Sequence, residues 1–84
     1  MPEVNKATIK SLIEYIAESL VDEQKSVKVT ESAKESYTVM ELSVESSDLG
    51  KIIGKNGQTA RAIRTLVNAA ASKAGDKIIF EIKE

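Results

Sequence analysis

The sequence predicts an α+β fold, a two-layer sandwich in the order α-β-β-α-α-β with helices over one face of a three-stranded mixed sheet. Three observations carry this. Apolar residues near the N-terminus recur every three or four positions, the spacing of one helix face. Three other segments alternate apolar and polar residues, the period of a half-buried strand. Between the second and third of these lie two helical stretches separated by a glycine-bracketed turn.

The first helix is expected over about residues 6–22. Ile9, Leu12, Ile13, Ile16, Ala17 and Leu20 form its apolar stripe. Asn5 is suited to the N-cap, because its side-chain oxygen accepts from a backbone N–H that the helix leaves unpaired. Val4 and Ile9 stand at the two positions of a hydrophobic staple. Val27 and Val29 alternate with Lys28 and Thr30 in the first strand, and Met40, Leu42 and Val44 alternate with Glu41, Ser43 and Glu45 in the second. The polar run from Ser32 to Ser36 reads as the hairpin turn between them.

Ser46, Ser47 and Asp48 signal a helix start. A short helix follows from Leu49 to about Ile53 and stops at Gly54-Lys55-Asn56-Gly57. A longer one runs from about Gln58 to Lys73, with Ala60, Ile63, Val67, Ala70 and Ala74 on its apolar face and Leu66 beside it. Gly75-Asp76 ends it. Ile78, Phe80 and Ile82 alternate with polar or exposed positions in the last strand. After a two-helix crossover that strand pairs in parallel with the second, and the crossover is right-handed. All 84 residues then make one domain, small enough that its core is thin.

Composition removes several classes of function. There is no cysteine and no histidine, which excludes the usual zinc sites and nucleophile–histidine catalysis. No catalytic activity and no cofactor are expected. Residues 1–10 hold no apolar run of signal-peptide length, and no stretch approaches a membrane span of roughly 18 apolar residues. A soluble, cytoplasmic chain is the expectation.

Charge is unevenly placed. Residues 1–46 hold five lysines against nine acids, a net −4, whereas residues 47–84 hold seven cations against four acids, a net +3. From Leu49 to Gly75 there are five cations (Lys51, Lys55, Arg61, Arg64 and Lys73) and no acid. A near-neutral protein binds an anion when its positive charge is local in this way. The bland alternative is a solvated helix face.

The glycine turn sharpens the reading. Glycine has no Cβ, so another backbone can come close at Gly54 and Gly57. The helix after Gly57 offers unpaired N–H groups and the positive end of its dipole. Lys55 adds a mobile cation at the tip, and Arg61 and Arg64 add charge along the next helix. Together these suit a phosphodiester backbone. Of Ile52, Ile53 and Ile63, one anchors the helices to the sheet and another floors a groove for unstacked bases. A P-loop does not fit: Gly50 and Gly54 have three residues between them, Asn56 follows Lys55, and the hydroxyl that holds the metal is missing. An aromatic RNA-reading sheet does not fit either, since Tyr15, Tyr37 and Phe80 are the only aromatics.

The segment from Leu49 to Arg64 resembles the core of KH domains, in particular the small bacterial single-KH proteins of the KhpA (YlqC) family, and the likeness spans nearly the whole chain. The resemblance implies a prokaryotic type II KH fold whose G-x-x-G loop, Gly54 to Gly57, contacts the backbone of single-stranded RNA. Ile53 and Ile63 match the hydrophobic positions of the KH motif. Ala60 departs from it, standing where many KH domains carry a larger aliphatic residue, which bears on the depth of the groove. The expected RNA-binding set is Lys51, Ile53, Gly54, Lys55, Asn56, Gly57, Gln58, Arg61 and Arg64. The resemblance further implies an RNA chaperone or post-transcriptional regulator that forms a homodimer or pairs with a second KH protein of the KhpB (Jag) kind. The alternative is a dimerisation module with little RNA binding of its own.

Other residues read as structure. Glu41, Glu45 and Glu81 alternate with apolar strand residues and are expected on a solvated sheet face instead of in a carboxylate site. Tyr15 is expected to be half-buried in the core, Tyr37 to lie on the open sheet face, and Met40 to fill the core.

Overall fold

The computed structural model describes residues 3–84; Met1 and Pro2, included in the expected 1–84 domain, lie outside the described residues. Helix α1 spans Lys6–Leu20, strands β1 and β2 span Lys28–Ala33 and Thr38–Ser43, helices α2 and α3 span Leu49–Ile53 and Gln58–Ala74, and strand β3 spans Ile78–Ile82. The sheet order is β1-β2-β3, antiparallel between β1 and β2 and parallel between β2 and β3. This is the expected α+β architecture with a mixed three-stranded sheet.

Each element follows from local chemistry. Asn5 caps α1 by accepting from the Thr8 N–H at 3.0 Å, and the Thr8 hydroxyl accepts from the Asn5 N–H at 2.8 Å. Threonine thus fills the place that Glu or Gln takes in the usual reciprocal capping box. Val4 packs against the core beside it. Ile9, Ile13 and Ala17 of α1 are buried together with Ile63, Val67 and Ala71 of α3, and both stripes lie over Val29, Met40, Leu42, Ile78 and Phe80 of the sheet. Ile52 completes this core from α2 and is fully buried. Truncating such a residue to alanine costs roughly 2–5 kcal/mol, much of it for the cavity left behind.

Several details differ from expectation. Tyr15 is 71% exposed, because it falls outside the arc that α1 turns to α3 and the sheet. Leu20 ends α1 exposed, and the chain leaves the helix at Val21, whose side chain is buried instead. A single 3-10 turn at Gln24–Ser26 then reverses direction, so Val27 is the residue after that turn and β1 starts at Lys28. Strand β1 continues through Ser32 and Ala33, which the sequence had placed in the turn. The ladder holds them, since Ala33 pairs with Thr38, and the Lys34 N–H donates to the Tyr37 carbonyl at 2.7 Å. Strand β2 stops at Ser43, leaving Val44 half-buried against the core. Leu66 is 51% exposed on the outer side of α3, and Ala71 takes the buried position next to Val67.

The face of the sheet away from the helices is open. Along it Glu41 stands opposite Glu81, and Val39 opposite Ile79, with Tyr37 one step beyond. Of the three glutamates singled out earlier, Glu41 and Glu81 are therefore strand residues on this open face, whereas Glu45 lies exposed beyond the end of β2.

Candidate nucleic-acid interface

The two glycines of the turn do different work. Gly54 ends α2 at φ 75°, ψ 176°, a region that essentially only glycine enters. A Cβ there would overlap the Thr59 side chain and lie 3.0 Å from the Thr59 backbone nitrogen. Gly54 therefore lets the end of α2 press onto the first turn of α3. Gly57 is left-handed at φ 74°, ψ 14°, and a Cβ on it would meet only the Arg61 Nη2 at 3.9 Å. Asn56 is also left-handed, at φ 55°, a conformation asparagine tolerates better than most residues.

These angles turn the chain through one 3-10 turn, Lys55–Gly57, directly into α3. The side chains of Lys55 and Asn56 project as exposed groups at the tip. No side chain caps α3 and no acid lies in its first turn, so its positive end is left uncompensated by the chain's own side chains. Arg61 folds back and donates from Nη2 to the Asn56 carbonyl at 3.2 Å, which brings its charge to the loop. Arg64 lies one turn further, with its guanidinium 6.0 Å from the centre of the Phe80 ring, the outer limit of a cation–π contact. Gln58 is exposed beside them.

The isoleucines divide their roles. Ile52 and Ile63 are core residues, whereas Ile53 is half-buried and faces a groove. Ile53, Ala60, Arg64, Glu81, Ile82 and Glu84 line a cavity of about 320 Å3 there. Ala60 is half-buried on its floor. The groove thus runs between the end of α2 and the first turns of α3 on one side and the β3 edge on the other. Ile82, Glu81 and Glu84 were not among the expected site residues. The signal was available, because the predicted topology already put the last strand at an edge.

Lys51 is placed differently from the other cations. Its ammonium donates to Asp22 at 2.6 Å and to Asp48 at 3.1 Å. Asp48 is 2% exposed and also accepts from the Glu23 N–H at 3.0 Å. That backbone bond, with Lys51 assisting, holds the Asp48 carboxyl below its ordinary value against the opposing effect of burial. Bonding to Asp22 and then Asp48 pushes the Lys51 ammonium above its ordinary value. The cluster ties the segment after α1 to the start of α2. A five-residue helix has no stability of its own. Ile52 and this charge cluster fix α2, and hence the loop.

A two-helix crossover carrying a glycine turn, set between two parallel strands of an α+β sandwich, defines a type II KH domain. The family described as KhpA/KhpB, KH domain, matches residues 10–82. The chain belongs to that family, which is not enzymatic. It is 49% identical over 74 residues to the RNA-binding protein KhpA of Clostridium perfringens, covering 88% of this chain and 99% of that one. It is 42% identical over 78 residues to the RNA-binding protein KhpA of Aquifex aeolicus, covering 93% and 99%. A third relative, the RNA-binding protein KhpA of Borreliella burgdorferi, is 49% identical over 71 residues, covering 84% and 87%. No helix among the described residues is long and apolar enough to cross a membrane.

Proposed function

We propose that the chain binds single-stranded RNA by clamping its backbone on the Gly54–Gly57 loop, as an RNA chaperone or post-transcriptional regulator in the cytoplasm. The observation that carries this is the uncapped, acid-free N-terminus of α3 behind an exposed Lys55 and Asn56, next to a groove floored by Ile53 and Ala60. Backbone N–H groups and cations meet phosphates on the loop side, and apolar side chains receive unstacked bases on the other. The relatives named as RNA-binding proteins support the same reading. Gly54, Gly57 and Gln58 shape the clamp, Arg61 and Arg64 extend its charge, and Lys51 acts mainly by holding α2 in place.

The proposal includes pairing with a second copy or with another KH protein of the KhpB kind. Tyr15 and Leu66 are exposed apolar side chains away from the loop, which supports an interface that leaves Gly54–Gly57 free.

Changing Lys55 and Asn56 together to Asp tests the clamp. Both side chains are exposed and neither fills the core, so the circular dichroism spectrum should be unchanged. Two anions then face the phosphates, and binding of a short single-stranded RNA in a filter assay should be abolished. Unchanged affinity with an unchanged spectrum would contradict the clamp.

A further inference from the structure

Asparagine occurs at three positions, and only one of them is followed by glycine. Asn5 is followed by Lys6, and its side-chain oxygen is engaged by the Thr8 N–H. Asn68 is exposed within α3, where the helix ladder holds the N–H of the next residue, Ala69. Asn56 differs from both. Its side chain is exposed at the tip of the loop, and among the described residues no hydrogen bond engages its amide. Gly57 follows it and puts no Cβ beside its own backbone nitrogen. That nitrogen is tied by a single bond, 3.2 Å long, to the Gly54 carbonyl. No acid lies between Leu49 and Gly75 to oppose negative charge forming there.

We infer that Asn56 and Gly57 form a self-modification site: the empty loop converts Asn56 to aspartate or isoaspartate, which disarms the clamp, and bound RNA holds the conversion back. The consequence for binding rests on the RNA-clamp reading above. The Gly57 nitrogen loses its proton to hydroxide and attacks the Asn56 Cγ. A C–N bond closes a cyclic imide, and the side-chain nitrogen takes a proton from water and leaves as ammonia. Water then opens the imide at one carbonyl or the other, giving aspartate or isoaspartate. The acid-free surroundings and the uncompensated positive end of α3 favour the anion formed in the first step. The closed loop blocks that step. At ψ 26° the Gly57 nitrogen points away from the Asn56 Cβ, so ring closure waits for the loop to open. Opening breaks the Gly57–Gly54 bond and the Arg61 contact to the Asn56 carbonyl and releases two left-handed residues, all without disturbing the core. RNA held on the closed loop reduces the open fraction by mass action. Either product sets a carboxylate against the phosphates. Isoaspartate also adds a methylene to the main chain of the loop.

Prolonged warming of the purified chain just above neutral pH tests this, followed by peptide mapping in a mass spectrometer and enzymatic methylation to detect isoaspartate. Asn56 should convert while Asn5 and Asn68 stay intact. A saturating short single-stranded RNA should slow the conversion several-fold. The converted chain, separated by ion exchange, should keep its circular dichroism spectrum and bind the same RNA weaker by roughly tenfold or more, the scale of one like charge beside a phosphate. No conversion at Asn56, or conversion no faster than at Asn68, overturns the site. An unchanged rate with RNA bound overturns the protection, and a converted chain that binds as well as the fresh one overturns the disarming. Fresh chain that binds no RNA overturns the clamp and the disarming with it, while mass alone still decides whether Asn56 converts.

Discussion

Alanine at the two loop glycines should have very unequal effects. Gly54 sits at φ 75°, ψ 176°, where a non-glycine residue costs on the order of 1–3 kcal/mol in backbone strain. Its new Cβ would also overlap the Thr59 Oγ1, the contact that Thr59→Ala removes, and lie 2.8 Å from the Thr59 Cβ and 3.0 Å from the Thr59 nitrogen. Thr59 is β-branched on a helix and has little rotamer freedom with which to retreat. Overpacking of this kind adds roughly 1–3 kcal/mol. The smaller entropy of the unfolded alanine chain returns only about 0.4–1 kcal/mol. Gly54→Ala should therefore cost about 3 kcal/mol. At Gly57 the conformation is ordinary left-handed and the space is open, so Gly57→Ala should cost about 1 kcal/mol, and Gly57→Asn less. For a domain of this size about 1 kcal/mol moves the melting temperature by roughly 4–8 °C. Urea unfolding followed by far-ultraviolet circular dichroism gives all three values. Equal losses for Gly54→Ala and Gly57→Ala would refute the account of Gly54 as the contact point between α2 and α3. A Thr59→Ala change that recovered nothing in the Gly54→Ala background would count against the steric part.

Arg61→Ala and Arg64→Ala should each lower the slope of log affinity against log salt by about 0.7 and weaken unrelated single strands alike; a change in base preference at constant slope would assign that arginine to base reading. Asp48→Asn should remove stability at neutral pH and flatten the acid limb of a denaturation profile. The lowered carboxyl stabilises the fold fully above its ordinary value of 3.8 and stops doing so as pH falls through the lower folded value, so wild type and variant should converge only below that window. Lys51 works in the opposite sense, contributing below 10.5 and losing its effect as pH rises past its raised value. Light scattering at micromolar concentration should show self-association or, with a second KH protein present, a mixed dimer, and hydrogen exchange in the dimer should leave Gly54–Gly57 unprotected. A strict monomer that binds RNA tightly, or a dimer that buries the loop, would contradict the assembly.

The elements legible in the sequence were those set by one dominant pattern. The stripe of Ile9, Ile13 and Ala17 had to face a core, and so did Met40 with Leu42 and Ile78 with Phe80, which fixed helices, strands and topology together. Stripe margins were less legible: Leu20, Leu66 and Tyr15 are apolar enough to be assigned inward, but only the angle at which α1 and α3 meet decides which of them water reaches. Polar burial was hidden for another reason. Thr38 and Asp48 are both 2% exposed, yet a hydroxyl and a carboxylate read as surface until their hydrogen-bond partners are known. For Asp48 the main partner is a backbone N–H 25 residues away. The loop was visible as glycines and charge; the far wall of the groove was implied only by the edge position of β3, and Glu81 was read as one more residue on an open sheet.

Pairing β2 with β3 in parallel has a consequence for the order in which binding surface appears. The hairpin of β1 and β2 is local, whereas β3 must reach β2 across both crossover helices, and such long-range pairing is intrinsically slow. Ile82 and Glu81 reach the groove on that last strand. The loop can therefore form while the groove is still half built, and recognition of bases waits for the step that closes the sheet. Any strand held there favours the docked state by mass action, so ligand and final strand should hold one another in place.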